Sequence, residues 1–175
     1  GTSFIMNGRA IKSINRLWNK RRAELQSRLP QGQRTSNLIR RLTLKRSNRV
    51  NDCIKKTARY ILNHCIKNNI GTIVCGYNLD FKRGINLGKQ LNQNFTQISF
   101  GSLREQLENL CARYGMKYEF SGKRIKRGLY QISDGRKVNA DLNGAANILR
   151  KSSRNFDFEE LSRGLLAIPL RIKLT

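Results

Sequence analysis

The stretch VNADLNGAANILRK, from Val138 to Lys151, contains the carboxylate with the clearest chemical interpretation. Asp141 precedes apolar residues at helical spacing, so it is a candidate helix N-cap whose carboxylate accepts backbone N–H bonds. It is equally a candidate metal ligand, because carboxylate oxygens are ligands that Mg²⁺ prefers. Two-metal hydrolysis needs several converging carboxylates, so Asp141 alone could not support it.

The thiols and the single imidazole predict no metal centre. Cys53, Cys65, Cys75 and Cys111 include no C-x-x-C spacing, which argues against a zinc ribbon within this chain. His64 adjoins Cys65, and adjacent helical residues point about 100° apart, so the pair is a poor chelate. We expect four buried free thiols in a reducing compartment, either the cytoplasm or the nucleoid, with an organelle matrix as an alternative.

The charge of the chain predicts a polyanionic partner. There are 35 Lys and Arg against 11 Asp and Glu, a net charge of +24, and such self-repulsion is usually relieved by phosphate. A solvated basic face, or a generally basic proteome, is the alternative. No apolar run approaches the roughly 20 residues of a membrane span, so no membrane partner is expected. The candidate nucleic-acid-binding residues are Arg16, Lys20, Arg21, Arg22, Arg40, Arg41, Lys45, Arg46, Arg49, Lys55, Lys56, Lys82, Arg83, Lys123, Arg124, Lys126 and Arg127.

The first half of the chain predicts a basic helical hairpin over residues 13–70. TSFIMNGRAIK suggests two short strands joined by a turn at Asn7-Gly8. Ser13 then caps a helix that ends near Leu29, and a longer helix runs from Ser36 to Asn68, where Gly71 ends the helical segment. Both helices combine an apolar stripe with a strongly basic remainder.

The second half predicts strands that alternate with helices. TIVCGYN is a buried strand, Ser102–Tyr114 a helix stopped by Gly115, and MKYEFSG a second strand, which implies a parallel crossover. Residues 123–138 form a basic hairpin turning near Asp134-Gly135, and the last helix begins at Asp141. Aromatic residues of the connection after TIVCGYN either stack on bases or pin the loop to the core. The tail has no assigned element, and Pro169 argues against a central strand there. The expected architecture is a single α/β domain spanning residues 1–175.

Several segments carry a family resemblance: FIMNGRAIKSINRLWNKRRAELQS, NNIGTIVCGYN, INLGKQLNQNFTQISFGSL and SGKRIKRGLY with VNADLNGAANILRK. They resemble the C-terminal RuvC-like nuclease domain of TnpB, the transposon-encoded RNA-guided nuclease ancestral to the compact type V CRISPR effectors. The resemblance implies an RNase H-like mixed sheet with the basic helical hairpin inserted in it. It also implies three carboxylates that bind two divalent ions, and helices that help to hold guide RNA and target DNA.

The carboxylates of that family carry over only in part. Asp141 matches the third acid, at the start of the last helix. Gly76 stands where the second acid is expected, and Glu119 is a candidate for a relocated acid on the next strand. The first acid would lie on a first strand that we expect this chain to lack. A partner chain or N-terminal segment would then complete the sheet.

Three functions follow as expectations. The first is a nuclease-dead, RNA-binding TnpB-like protein or subunit of a ribonucleoprotein, with or without RNA-guided binding of target DNA, and with no cofactor. The second is the RuvC half of an active endonuclease, with Asp141 and Glu119 as catalytic and metal-binding residues for Mg²⁺. The third is a domesticated structural protein of a ribosome-like particle. By ancestry the chain is a metal-dependent endonuclease, and we expect it to be inactive alone.

Overall fold

A computed structural model describes residues 3–76, 100–121, 130–131, 137–138, 140–152 and 170–173. In chain order the elements are β1 (Phe4–Asn7), α1 (Arg9–Ser27), α2 (Asn37–Lys67), β2 (Thr72–Gly76), α3 (Phe100–Arg113), β3 (Lys117–Ser121), β4 (Tyr130–Gln131), β5 (Lys137–Val138), α4 (Ala140–Ser152) and β6 (Leu170–Lys173). Among these residues the strands form three two-stranded sheets: β1 with β6, β2 with β3, and β4 with β5. The protein is therefore mixed α/β and mainly helical. No described helix is long and apolar enough to cross a membrane.

The long helix α2 was predicted closely. Ser36 adopts an extended conformation at its N-cap, and the Ser36 hydroxyl accepts a hydrogen bond from the Ile39 N–H at 3.3 Å. At the other end Asn69, not Gly71, takes the left-handed conformation with φ of 53°. The N–H of Ile70 then donates to the Cys65 carbonyl at 2.9 Å, a bond that closes the last turn.

The predicted N-terminal β-hairpin is wrong. Only Phe4–Asn7 is a strand, and α1 begins at Arg9 rather than after Ser13. The Asn7 side-chain oxygen accepts a hydrogen bond from the Arg9 N–H at 3.0 Å, so Asn7-Gly8 starts a helix instead of turning a hairpin. The strand β1 pairs in parallel with β6, which begins at Leu170, and Pro169 lies outside the described residues.

The helices α1, α2 and α3 share a core. Ile11 of α1 packs with Val50 and Ile54 of α2, and Leu103 of α3 packs against this cluster. Farther along α2, Ala58 and Leu62 are fully buried. Helix α2 contacts both α1 and α3. This central position leaves the outer faces of the helical pair α1 and α2 free to hold charge.

The crossover from β2 to β3 is parallel, as the sequence predicted. Val74 lies opposite Glu119 and Gly76 opposite Ser121 in the register of the two strands. The intervening helix α3 ends at Gly115, whose φ is 67°, and the Met116 N–H donates to the Cys111 carbonyl at 2.9 Å. The antiparallel pair of β4 and β5 agrees with the predicted basic hairpin.

Candidate nucleic-acid interface

A straight row of cations follows the outer face of α1. Arg9, Lys12, Arg16 and Lys20 recur every three or four residues, so they lie on one side of the helix, and all four are exposed. Ile11, Asn15 and Trp18 are turned towards α2 instead. We call these four cations the α1 stripe. Arg9 and Lys12 were missed as candidates because the sequence around them was assigned to a hairpin.

A second row of exposed cations runs along α2: Arg41, Lys45, Arg49 and Lys56, here called the α2 stripe. Its members line two grooves between α1 and α2. Arg41 and Lys45 line a groove of about 380 Å³, together with Arg21. Arg49 and Lys56 line another of about 550 Å³. Cations that border a groove between two rigid helices are well placed to follow a phosphate backbone.

The carboxylates of this helical pair neutralise little of the charge. Glu24 accepts an ion pair from Arg28 at 2.7 Å, and Asp52 accepts one from Lys56 at 3.2 Å. Both pairs are exposed and join residues four apart on one helix. Such pairs contribute only modestly to stability. Among the described residues, the other members of both stripes form no ion pair with a carboxylate of these helices that would compete with phosphate.

Arg46 differs from its basic neighbours. Its Nε donates to the side-chain oxygen of Asn15 at 2.8 Å, and Asn15 is 0% exposed. Its guanidinium also lies 5.4 Å from the ring centroid of Trp18, while that of Arg22 lies 5.0 Å from the same centroid. The indole N–H of Trp18 donates to the Thr43 hydroxyl at 3.3 Å. Burial lowers the pKa of Arg46. We infer that Arg46 mainly joins α1 to α2.

The other sequence-predicted cations divide by position. Those exposed on described helices are Arg16, Lys20, Arg21, Arg22, Arg40, Arg41, Lys45, Arg49, Lys55 and Lys56. Those outside the described residues are Lys82, Arg83, Lys123, Arg124, Lys126 and Arg127. The structure thus brings together the candidates of α1 and α2. Their binding of nucleic acid stays a prediction.

The predicted carboxylate site is only partly described. Asp141 is the second residue of α4, which begins at Ala140, so it lies in the first helical turn and not at the N-cap. Glu119 is exposed on β3. Within the described part of the chain, no group of three or more His, Cys, Asp or Glu residues could hold a metal ion.

One face of the β2–β3 sheet brings two of the relevant positions together. A Cβ added to Gly76 would lie 2.5 Å from Cδ1 of Ile148, so this face is turned towards α4. Side chains alternate along a strand, and Val74, opposite Glu119, shares the face of Gly76. Glu119 therefore lies on the same face, about 8 Å from Gly76 by strand spacing and rise. Gly76 stands where an acid is expected, but its side chain is a single hydrogen atom, which faces Ile148.

The cysteines agree with the expected free thiols. All four are free, but not all are buried as expected: Cys65 and Cys111 are buried, whereas Cys53 and Cys75 are only partly buried. Burial raises the pKa of the Cys65 thiol, and the nearby Cys111 raises it further. Burial also raises the pKa of Cys111. Thiols held in the protonated form are poor nucleophiles and poor metal ligands.

Comparison with known families identifies the N-terminal part of the chain. Residues 1–82, a little under half of the chain, match the OrfB_IS605 family, described as a probable transposase. This match confirms the resemblance to TnpB. Residues 1–82 are thus similar to the TnpB family. They contain β1, α1, α2 and β2, and hence both basic stripes and Gly76. No curated protein matches the chain.

Proposed function

We propose that this TnpB-like chain binds RNA as part of a ribonucleoprotein and lacks nuclease activity of its own. The observation that carries the proposal is the pair of exposed cation stripes on α1 and α2. The cations of the α2 stripe also line the grooves between these two packed helices. Non-specific binding to nucleic acid arises almost wholly from such phosphate contacts. RNA, with target DNA as a further ligand, is the partner that this charge favours.

The proposed loss of nuclease activity rests on the carboxylates. Metal-dependent hydrolysis of a phosphodiester requires acids that converge on ions roughly 4 Å apart. Gly76 provides no carboxylate at the position where the family resemblance places one, and its face packs against Ile148. Asp141 alone would leave two dications poorly neutralised. The favoured form of the protein thus has no metal cofactor.

One observation favours the alternative, an active endonuclease whose site is completed by another segment or chain. Glu119 shares a sheet face with Gly76 and so faces the side where α4 packs. A cleavage assay distinguishes the nuclease-dead protein from an active endonuclease in which Glu119 replaces the missing acid. Wild type, Asp141→Ala and Glu119→Ala would be incubated with labelled DNA and RNA in Mg²⁺ and in Mn²⁺. We expect no cutting by any of them. Metal-dependent cutting by wild type that both variants lose would overturn the proposal and identify Glu119 as the relocated acid.

RNA binding is tested by isolating the complex from cells and sequencing the RNA that co-purifies. We expect one defined RNA to co-purify, because a ribonucleoprotein that uses a guide RNA, or descends from one that did, retains that RNA. Enrichment of ribosomal RNA would instead support a structural role in a ribosome-like particle. Recovery of no RNA would refute the proposed function. We also propose that a partner polypeptide pairs with β2. The proposed location is a reducing compartment, the cytoplasm or nucleoid.

A further inference from the structure

A third groove, separate from the two that border α1, lies between α2 and α3. It has a volume of about 490 Å³ and is lined by Lys55, Arg59, Gln106, Asn109, Leu110 and Arg113. The described lining therefore includes three cations, two carboxamides and no carboxylate. Its volume falls within the roughly 300–1,000 Å³ of small-ligand sites. Arg113 did not appear among the sequence-based candidates.

Helical spacing aligns these groups in two facing rows. Lys55 and Arg59 are four residues apart on α2, whereas Gln106, Asn109 and Arg113 follow spacings of three and four on α3. The Arg59 guanidinium donates to the Tyr114 hydroxyl at 2.8 Å and lies 5.6 Å from the centroid of its ring. This contact holds one cation of the groove in place before any ligand arrives.

The acidic residues of α3 do not line this groove. Glu108 is not among the residues that line it. Glu105, the remaining acid of α3, is exposed and adjoins Gln106 in the chain. The groove thus presents net positive charge to a ligand.

We propose that this groove binds one phosphate of an RNA backbone together with its ribose, with Lys55, Arg59 and Arg113 on the phosphate and Gln106 and Asn109 on the 2′-hydroxyl. The inference rests on the proposed RNA binding and specifies how RNA is distinguished from DNA. A 2′-hydroxyl is both donor and acceptor, as a carboxamide is, and deoxyribose has no group to match it.

The short distance between the cations and the carboxamides of this groove indicates that the carboxamides contact the ribose rather than a base. Neighbours at spacings of three or four on a helix have Cβ atoms roughly 5–6 Å apart. Asn109 and Arg113 are such neighbours, so a phosphate held by Arg113 leaves its own sugar within reach of Asn109. Contacts of this kind are independent of base sequence, so the groove should select the sugar and not the sequence.

The test is a binding titration of the 175-residue chain against a fluorescent single-stranded RNA and a DNA of the same sequence. Wild type should prefer RNA. Gln106→Ala with Asn109→Ala should reduce that preference by about tenfold, the value of two modest hydrogen bonds, and leave the salt dependence unchanged. Lys55→Gln with Arg113→Gln should weaken binding to both RNA and DNA and flatten the salt slope by roughly 0.7 log units, the value of the one phosphate contact that these cations share. This pair keeps the contact between Arg59 and Tyr114.

The matched control is Arg9→Gln with Lys12→Gln, on the α1 stripe. It should flatten the salt slope and leave the preference for RNA over DNA intact. An equal loss of preference in the control, or an unchanged preference in the carboxamide variant, would overturn the inference while RNA binding itself stands. No RNA binding by wild type would refute the proposed function instead. Thermal melting of each variant confirms that it is folded.

Discussion

Lys45 and Arg46 are neighbours in the chain, yet the structure predicts opposite consequences of replacing them. Lys45 is exposed and borders a groove between α1 and α2. Arg46 is half-buried and bonded to Asn15, with its guanidinium over Trp18. The change to Gln removes one positive charge in each case. Lys45→Gln should therefore alter binding, and Arg46→Gln should alter stability.

The size of the stability effect follows from the contacts. A hydrogen bond from a charged donor contributes roughly 1.5–3 kcal/mol, and a cation–π contact about 0.5–1 kcal/mol when exposed. A glutamine amide can recover part of the bond to Asn15, so we expect Arg46→Gln to cost about 2 kcal/mol. At roughly 2–4 °C per kcal/mol for a protein of this size, the melting temperature should fall by about 4–8 °C. Lys45→Gln should stay within about 0.5 kcal/mol of wild type.

Two measurements separate these effects. Calorimetry or circular dichroism gives the melting temperature, and titration of single-stranded RNA at several salt concentrations gives the slope of log K against log salt. Lys45→Gln should reduce the slope by about 0.7 and Arg46→Gln should leave it unchanged. A stable Arg46→Gln variant with a reduced slope would refute the assignment of Arg46 to the junction between the helices. It would return this residue to the RNA-binding surface.

Three further predictions concern stability. Gly76→Ala should bring its methyl group into Ile148, and Ile148→Val removes the atom in contact, so the two changes should not be additive. In denaturant unfolding the double variant should be about 1 kcal/mol more stable than the sum of the single changes predicts, and strict additivity would refute the contact. Because burial raises the pKa of Cys65 and Cys111, the folded state retains protons that the unfolded state releases, so stability should be full below the ordinary thiol value of 9.0 and fall as pH rises above it. Changing both thiols to Ala should reduce this alkaline loss in pH-dependent melting, and an unchanged loss would place its origin elsewhere. Ser36→Ala should lower stability by about 1 kcal/mol through loss of the α2 N-cap, whereas Ser36→Asp should preserve it.

Long periodic patterns made the central helix predictable. Helix α2 spans 31 residues, so its apolar stripe repeats often enough to fix both type and extent, and Ser36 marks its start. The first strand and helix were harder, because Asn7-Gly8 between apolar residues suits a hairpin turn as well as a helix start. The choice was decided by the parallel pairing of Phe4–Asn7 with Leu170–Lys173. A partner that distant in the chain leaves no signal in the local pattern.

The candidate site shows the same division between local and tertiary information. Basic composition predicted that α1 and α2 carry charge, and helical spacing placed the stripes. The sequence could not show that Arg46 turns inward to Asn15, because the helical position of Arg46 differs little from those of the exposed cations. Nor could it show the groove that joins Lys55 to Arg113, since that groove exists only where α2 packs on α3.

The net charge of +24 overstates how many phosphates this protein can bind, because part of the charge is used by the fold. The guanidiniums of Arg22 and Arg46 both lie over the indole ring of Trp18, and that of Arg59 lies over Tyr114. A cation that already stacks on an aromatic ring must leave it, or bind phosphate with only its outer N–H groups, before it releases a counterion. The salt slope for RNA should therefore be set by the exposed members of the α1 and α2 stripes and the third groove. Arg22 and Arg46 then fix the positions of the helices, Arg59 binds phosphate with its outer N–H groups, and cations without such rings bind the backbone.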